Sequence, residues 1–93
     1  MITANNLKQL LELLGFEQQG HLWKKHFINV NCDISVDFKS RRLIYPDDLL
    51  GRDRNAGFDK KENFVVFECV YRLLNKGYRP KDIELEKGMA FRP

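Results

Sequence analysis

The sequence predicts an α+β fold, and three changes of hydrophobic period predict it. Leu7, Leu10, Leu11 and Leu14 recur at helical spacing and fall on one face. Across residues 27–38 the period shortens to two. Ile28, Val30, Cys32, Ile34, Val36 and Phe38 alternate with Asn29, Asn31, Asp33, Ser35 and Asp37, the pattern of a half-buried antiparallel strand. Residues 63–78 then return to helical spacing in the most apolar stretch of the chain. The expected order is an N-terminal helix, a two- or three-stranded antiparallel meander, a central buried helix and a short C-terminal strand. A chain of 93 residues holds one small domain, 1–93, because a second core would be too small to stabilise itself.

The first helix is expected over residues 3–14, capped by Thr3, Asn5 or Asn6 and ended by Gly15. A turn at Gln18-Gln19-Gly20 leads into a strand from Leu22 that includes Trp23. The alternating run is long for one strand, so a bulge or turn near residues 29–31 is one solution. Lys39-Ser40-Arg41-Arg42 makes a polar turn, and Leu43-Ile44-Tyr45 returns as a strand. Residues 46–61 form a long connection, tacked to the core by Leu49, Leu50 and Phe58. Asp59 and Glu62 have capping-box spacing for the central helix. Its apolar stripe is Val66, Val70, Leu73 and Leu74, widened by Phe64, Phe67, Cys69 and Tyr71. Gly77 and Pro80 end it. Residues 83–86 alternate as a last strand, and residues 87–93 read as a flexible tail.

Net charge is +3, with the excess concentrated in residues 21–45. That is compatible with nucleic acid without requiring it. Two widely spaced cysteines on apolar patterns point to reduced core thiols and a cytoplasmic protein. With no signal peptide or long apolar run, neither secretion nor a membrane is indicated.

His21, His26, Cys32 and Cys69 match none of the paired spacings that zinc needs, so no metal site is expected. Ser35 and Ser40 lack a nucleophile elbow, and no glycine-rich phosphate loop is present. Asp47 with Asp48, or Glu84 with Glu86, could hold a hard cation, but solvated acids are the commoner outcome. Lys24, Lys25, Lys39, Arg41 and Arg42 cluster around the expected hairpin. They could contact phosphates, with Trp23 and Tyr45 as stacking partners. An ordinary sheet edge carries the same residue types to discourage aggregation. Glu68 lies within the apolar helix, where an ionised carboxylate needs a partner. Arg72, four residues on, supplies one as a surface ion pair.

The stretches Glu-Asn-Phe-Val-Val-Phe-Glu-Cys-Val (62–70) and Leu-Leu-Asn-Lys-Gly-Tyr-Arg-Pro-Lys-Asp-Ile-Glu-Leu-Glu (73–86) resemble the N-terminal region of bacterial restriction–modification proteins. The likeness is to type I restriction enzyme R subunits and fused restriction endonuclease–methylases. Leu-Leu-Gly-Phe (13–16), Val-Asp-Phe (36–38) and Leu-Ile-Tyr-Pro (43–46) fit the same region, so the resemblance spans nearly the whole chain. It implies a position upstream of a PD-(D/E)XK nuclease core, whose Mg²⁺-binding Asp and Glu-X-Lys follow the Ile-Glu-Leu-Glu strand. Neither motif is found here on consecutive strands. The chain by itself is therefore expected not to be an enzyme and to need no cofactor, with Mg²⁺ belonging to the parent protein. The resemblance carries an accessory-acid role onto Glu68, with Glu62 second.

The function so implied is a non-catalytic N-terminal module, or a truncated piece, of a DNA restriction–modification protein. It would position DNA or complete a nuclease core. Lys24, Lys25, Lys39, Arg41 and Arg42 would contact phosphates, and the rest of the parent protein or other restriction–modification subunits would be its partners. The alternative is a protein-interaction or dimerisation module that self-associates through unpartnered apolar edges. A stand-alone metal-dependent hydrolase using Glu68 with Asp47, Asp48 or Glu84 ranks third.

Overall fold

A computed structural model describes residues 3, 5–46, 49, 55–85 and 91–92, with only the backbone of Asn55, Glu84, Leu85, Phe91 and Arg92. The order is α1 (Leu7–Leu13), β1 (Glu17–Gln19), β2 (Leu22–Phe27), β3 (Cys32–Asp37), β4 (Arg42–Ile44), β5 (Asn55–Gly57) and α2 (Lys61–Asn75). A 3₁₀ turn (Pro80–Asp82) and two short strands, β6 (Glu84–Leu85) and β7 (Phe91–Arg92), follow. The α+β class stands. The meander is larger than expected, an antiparallel five-stranded sheet in sequence order, β1 to β5.

The ladder sorts the side chains by face. Trp23 pairs with Val36, Lys25 with Ile34 and Phe27 with Cys32, and these point towards the helices. Leu22, Lys24 and His26 point the other way, opposite Asp37, Ser35 and Asp33. Leu7 and Leu11 of α1, and Phe64, Val66, Phe67, Val70 and Leu74 of α2, join Trp23, Phe27, Ile34, Val36 and Leu43 in one core. Both helices therefore cover one face of the sheet. Phe67 is fully buried, packed against Phe16 and Tyr45 at ring-centre distances of 6.1 and 6.0 Å. Burying each such side chain stabilises the fold by roughly 1.5–3 kcal/mol.

The helix ends show which local signals were realised. At the end of α2 the Tyr78 N–H donates to Leu73 O and the Gly77 N–H to Leu74 O, a Schellman motif with Gly77 at φ 100°. Its start differs from expectation. The N-cap is Lys60, without a side-chain cap, so Asp59 and Glu62 form no capping box. The Asp59 carboxylate instead lies over Gly57, where an added Cβ would stand 2.7 Å from Asp59 Oδ1. The first helix is shorter than residues 3–14, with Asn6 as its N-cap.

Further corrections concern the strands. The long alternating run is two strands joined by a turn over residues 28–31, where Asn31 takes φ 49°. Ile28 keeps the sequence phase but lands on that turn, 84% exposed. β6 pairs with β7 and not with the five-stranded sheet, so the expected tail of residues 87–93 includes a strand at Phe91–Arg92. Leu49 and Phe58 do pack on the core, while Leu50 lies outside the described residues. Among the described residues, no helix is long and apolar enough to cross a membrane.

Candidate functional site

The expected basic set divides in the fold. Lys24 and Lys25 are neighbours on β2, so their side chains leave opposite faces. The Lys25 Nζ donates to the Leu14 carbonyl at 3.0 Å, just past the end of α1, and lies 5.7 Å from the Phe27 ring centre and 5.8 Å from that of Tyr71. It ties α1, β2 and α2 together at the end of the sheet opposite the β3–β4 turn. Lys24 stands on the open face opposite Ser35.

Lys39, Arg41 and Arg42 stay together at the β3–β4 turn, all exposed. Asp37 builds that turn. Its Oδ1 accepts from the Lys39 N–H at 2.9 Å and the Ser40 N–H at 3.4 Å, and lies 2.9 Å from His21 Nδ1. Partial burial opposes ionisation of Asp37, but the hydrogen bonds from Lys39, Ser40 and His21 outweigh it and hold the carboxyl below its ordinary range. Arg41 sits at φ 58°, a left-handed conformation that Gly or Asn would take more readily. The Asn31 turn at the other end of β3 uses the favoured residue type. Among the described residues, Lys39, Arg41 and Arg42 form no ion pair, whereas Arg72 pairs with Glu68 and Arg79 with Asp82.

Two aromatic rings back this turn. Arg41 places its guanidinium 5.1 Å from the Phe58 ring centre, and Lys8 of α1 places its ammonium 5.2 Å from that of Phe38. The two rings meet edge to face at 5.8 Å, and Phe58 also packs on Phe64 at 5.4 Å. That contact brings the start of α2 to the same end of the molecule, with Lys60 and Lys61 at its first turn. Cations there oppose the helix dipole, whose positive end favours acids such as Glu62. Six cations gather at this end with the α2 dipole, namely Lys8, Lys39, Arg41, Arg42, Lys60 and Lys61, against the three acids Asp37, Asp59 and Glu62 among the described residues. Lys8, Lys60 and Lys61 were missed in the sequence because they lie far from the hairpin in the chain. No local spacing signals the cluster, since Arg41 lies over Phe58 and Lys8 over Phe38, each pair distant in the chain.

Several expected site residues play other parts. Trp23 and Tyr45 are buried, at 7% and 5% exposure, and have no free ring face to offer a base. Glu68, partly buried, pairs with Arg72 at 2.8 Å on the surface of α2, a contact worth about 0.3–0.5 kcal/mol. Glu62 is exposed in the first turn of the same helix. Asp47, Asp48 and Glu86 lie outside the described residues, as does the side chain of Glu84. Cys32 and Cys69 are half-buried thiols. Among the described residues, no three His, Cys, Asp or Glu side chains gather as a metal would require. No family model, no curated protein and no solved structure matches the chain.

Proposed function

We propose that this chain is a non-catalytic DNA-contacting module of the kind its resemblance to restriction–modification proteins implies. The observation that carries the reading is the gathering of cations at one end of the fold. There, Lys39 and Arg42 flank an Arg41 held in a left-handed backbone conformation. Strain of this sort is kept where the side chain has work to do. Phosphate oxygens are the ligand that an end with added dipole and side-chain charge attracts best. In the parent protein, the module would position duplex DNA for catalytic strands that follow.

Titration with a short duplex across a salt series tests this. The logarithm of affinity falls linearly with the logarithm of salt concentration, and Lys39→Glu and Arg41→Glu each flatten the slope by about one. Affinity unchanged between low and moderate salt, or no binding at low salt, overturns the reading.

A second reading has its own observation. At the opposite end, Leu13 and Ile28 are 75% and 84% exposed, and Tyr78 is 41% exposed. Beside Ile28 lies a recess of about 250 Å³ lined by Lys25, His26, Phe27, Asn29, Leu74 and Asn75. Exposed apolar side chains around a recess suit a protein partner or a second copy. Light scattering at high concentration separates the readings: self-association that Ile28→Ser abolishes supports this one, and a strict monomer argues against self-association.

A further inference from the structure

The rings of Phe38 and Phe58 point to a more specific ligand than phosphate alone. We infer that the Lys8–Phe38–Phe58–Arg41 cluster is a stacking site for unpaired nucleobases, so that single-stranded nucleic acid binds this end better than blunt duplex. This rests on the DNA-contacting reading and narrows it.

Three observations carry the inference. Both rings are half-buried, and each has a flexible cation lying over it: Lys8 on Phe38 and Arg41 on Phe58. Such cations are removable covers. A cation over a ring at an exposed site is held more weakly than a base stacked on the same ring. Exchange is therefore favourable, and the displaced ammonium and guanidinium remain within reach of the backbone phosphates that accompany the base. Second, the rings are fixed from behind, Phe38 by Trp23 at 6.5 Å and Phe58 by Phe64 at 5.4 Å, so little order need be gained on binding. Third, the rings stand at 83° to one another. Two rings so inclined cannot take neighbouring bases of a stacked duplex, but a flexible single strand can present one base to each ring in turn. In a duplex the base faces are already covered by their neighbours, and reaching them requires unstacking.

Trp23 supplies the readout. It is the single tryptophan of the chain and packs edge-on against Phe38. A base settling on Phe38 alters its surroundings, while phosphate contact at the exposed turn does not.

The experiment compares an oligothymidylate of about 12 nucleotides with a blunt duplex of the same length, at matched ionic strength, by anisotropy and Trp23 emission. The single strand binds more tightly and shifts the emission; the duplex binds without shifting it. Phe58→Leu keeps an apolar side chain against Phe64 and weakens single-strand binding roughly 5- to 100-fold, far more than it weakens duplex binding through the lost support of Arg41, and it keeps the duplex salt slope because no charge is removed. Phe58→Tyr, which retains the ring, restores single-strand binding and guards against a folding defect. Equal affinity for the two probes, or a Phe58→Leu protein that loses nothing, overturns the stacking site and leaves the phosphate-contact reading standing. No binding of either probe at low salt overturns both.

Discussion

The two ends of the sheet use the same residue types for opposite purposes. At the end where α1 and α2 begin, Lys8, Lys39, Arg41 and Arg42 lie at the surface, two of them over aromatic rings. At the end where the helices finish, Lys25 also lies over aromatic rings, but its ammonium donates to the Leu14 carbonyl. The difference follows from the helix dipole. A lysine at a helix C-terminus meets unsatisfied carbonyls and a partial negative charge, so it is drawn in. A cation at a helix N-terminus meets partial positive charge and is left for an outside anion. The turns repeat the contrast. Asn31 suits its left-handed conformation at the first end of β3, and Arg41 is strained in the same conformation at the other. What distinguishes an outward cation from one drawn into the fold here is the end of the helix it faces, not its place in the sequence.

Each end also has a buried or half-buried polar staple whose removal should break the comparison clearly, Asn63 at the first and Lys25 at the second, where the Tyr71 hydroxyl also donates to the Leu14 carbonyl at 3.4 Å. The Asn63 Nδ2 donates to the Gly57 carbonyl at 3.0 Å, fastening β5 and the following Phe58 to α2. Asn63 is only 6% exposed, so Asn63→Ala leaves that acceptor unsatisfied and should cost about 1–3 kcal/mol in urea unfolding. DNA affinity should fall with it, because Phe58 and Arg41 lose their footing. Lys25→Ala removes a charge-assisted but half-exposed bond and should cost about 1–2 kcal/mol. Its salt slope for DNA should equal that of the parent chain. If Lys25→Ala flattened the slope as much as Lys39→Glu, the division between inward and outward cations would be wrong.

The sequence made the class legible but not the number of strands. Leucine spacing in α1, alternation in β3 and the apolar stripe of α2 each reflect burial of one face, which is what periodicity reports. β1 is polar and wholly exposed, and β5 reads Asn-Ala-Gly, so neither carries a burial signal. The turn over residues 28–31 was partly hidden because Ile28 and Val30 continue the phase of β3. Asp59 had the right spacing for a cap, but its carboxylate is taken up over Gly57 instead. For the candidate site, charge in the chain located Lys39, Arg41 and Arg42. It also enrolled Lys25, since facing is a property of the ladder and the helix ends. Lys8 and Phe58 join the cluster only through tertiary packing, 50 residues apart in the chain.

The smallest effect should come from Asp37, which shapes the turn without lying in the core. Its carboxylate accepts from the N–H groups of Lys39 and Ser40, with His21 beside it and Arg42 opposite it on β4. Burial opposes the ionised form, but the hydrogen bonds from Lys39, Ser40 and His21 outweigh it and hold its pKa below the ordinary value of 3.8. The sign follows. A carboxyl depressed in the folded state contributes stability that is fully present above the unfolded pKa and disappears as pH falls through the folded one. Thermal unfolding of the parent chain and of Asp37→Asn should therefore differ near neutral pH and converge in strong acid. Because Asp37 serves the outward end alone, Asp37→Asn should also weaken DNA binding at neutral pH by loosening the backbone that presents Lys39 and Arg41. It should leave the Lys25 end untouched, so that the cost of Lys25→Ala is the same in both backgrounds, as expected of distant and independent sites. Strong coupling between the two substitutions would show that the ends are not separate units, and the comparison would have to be redrawn around the core that joins them.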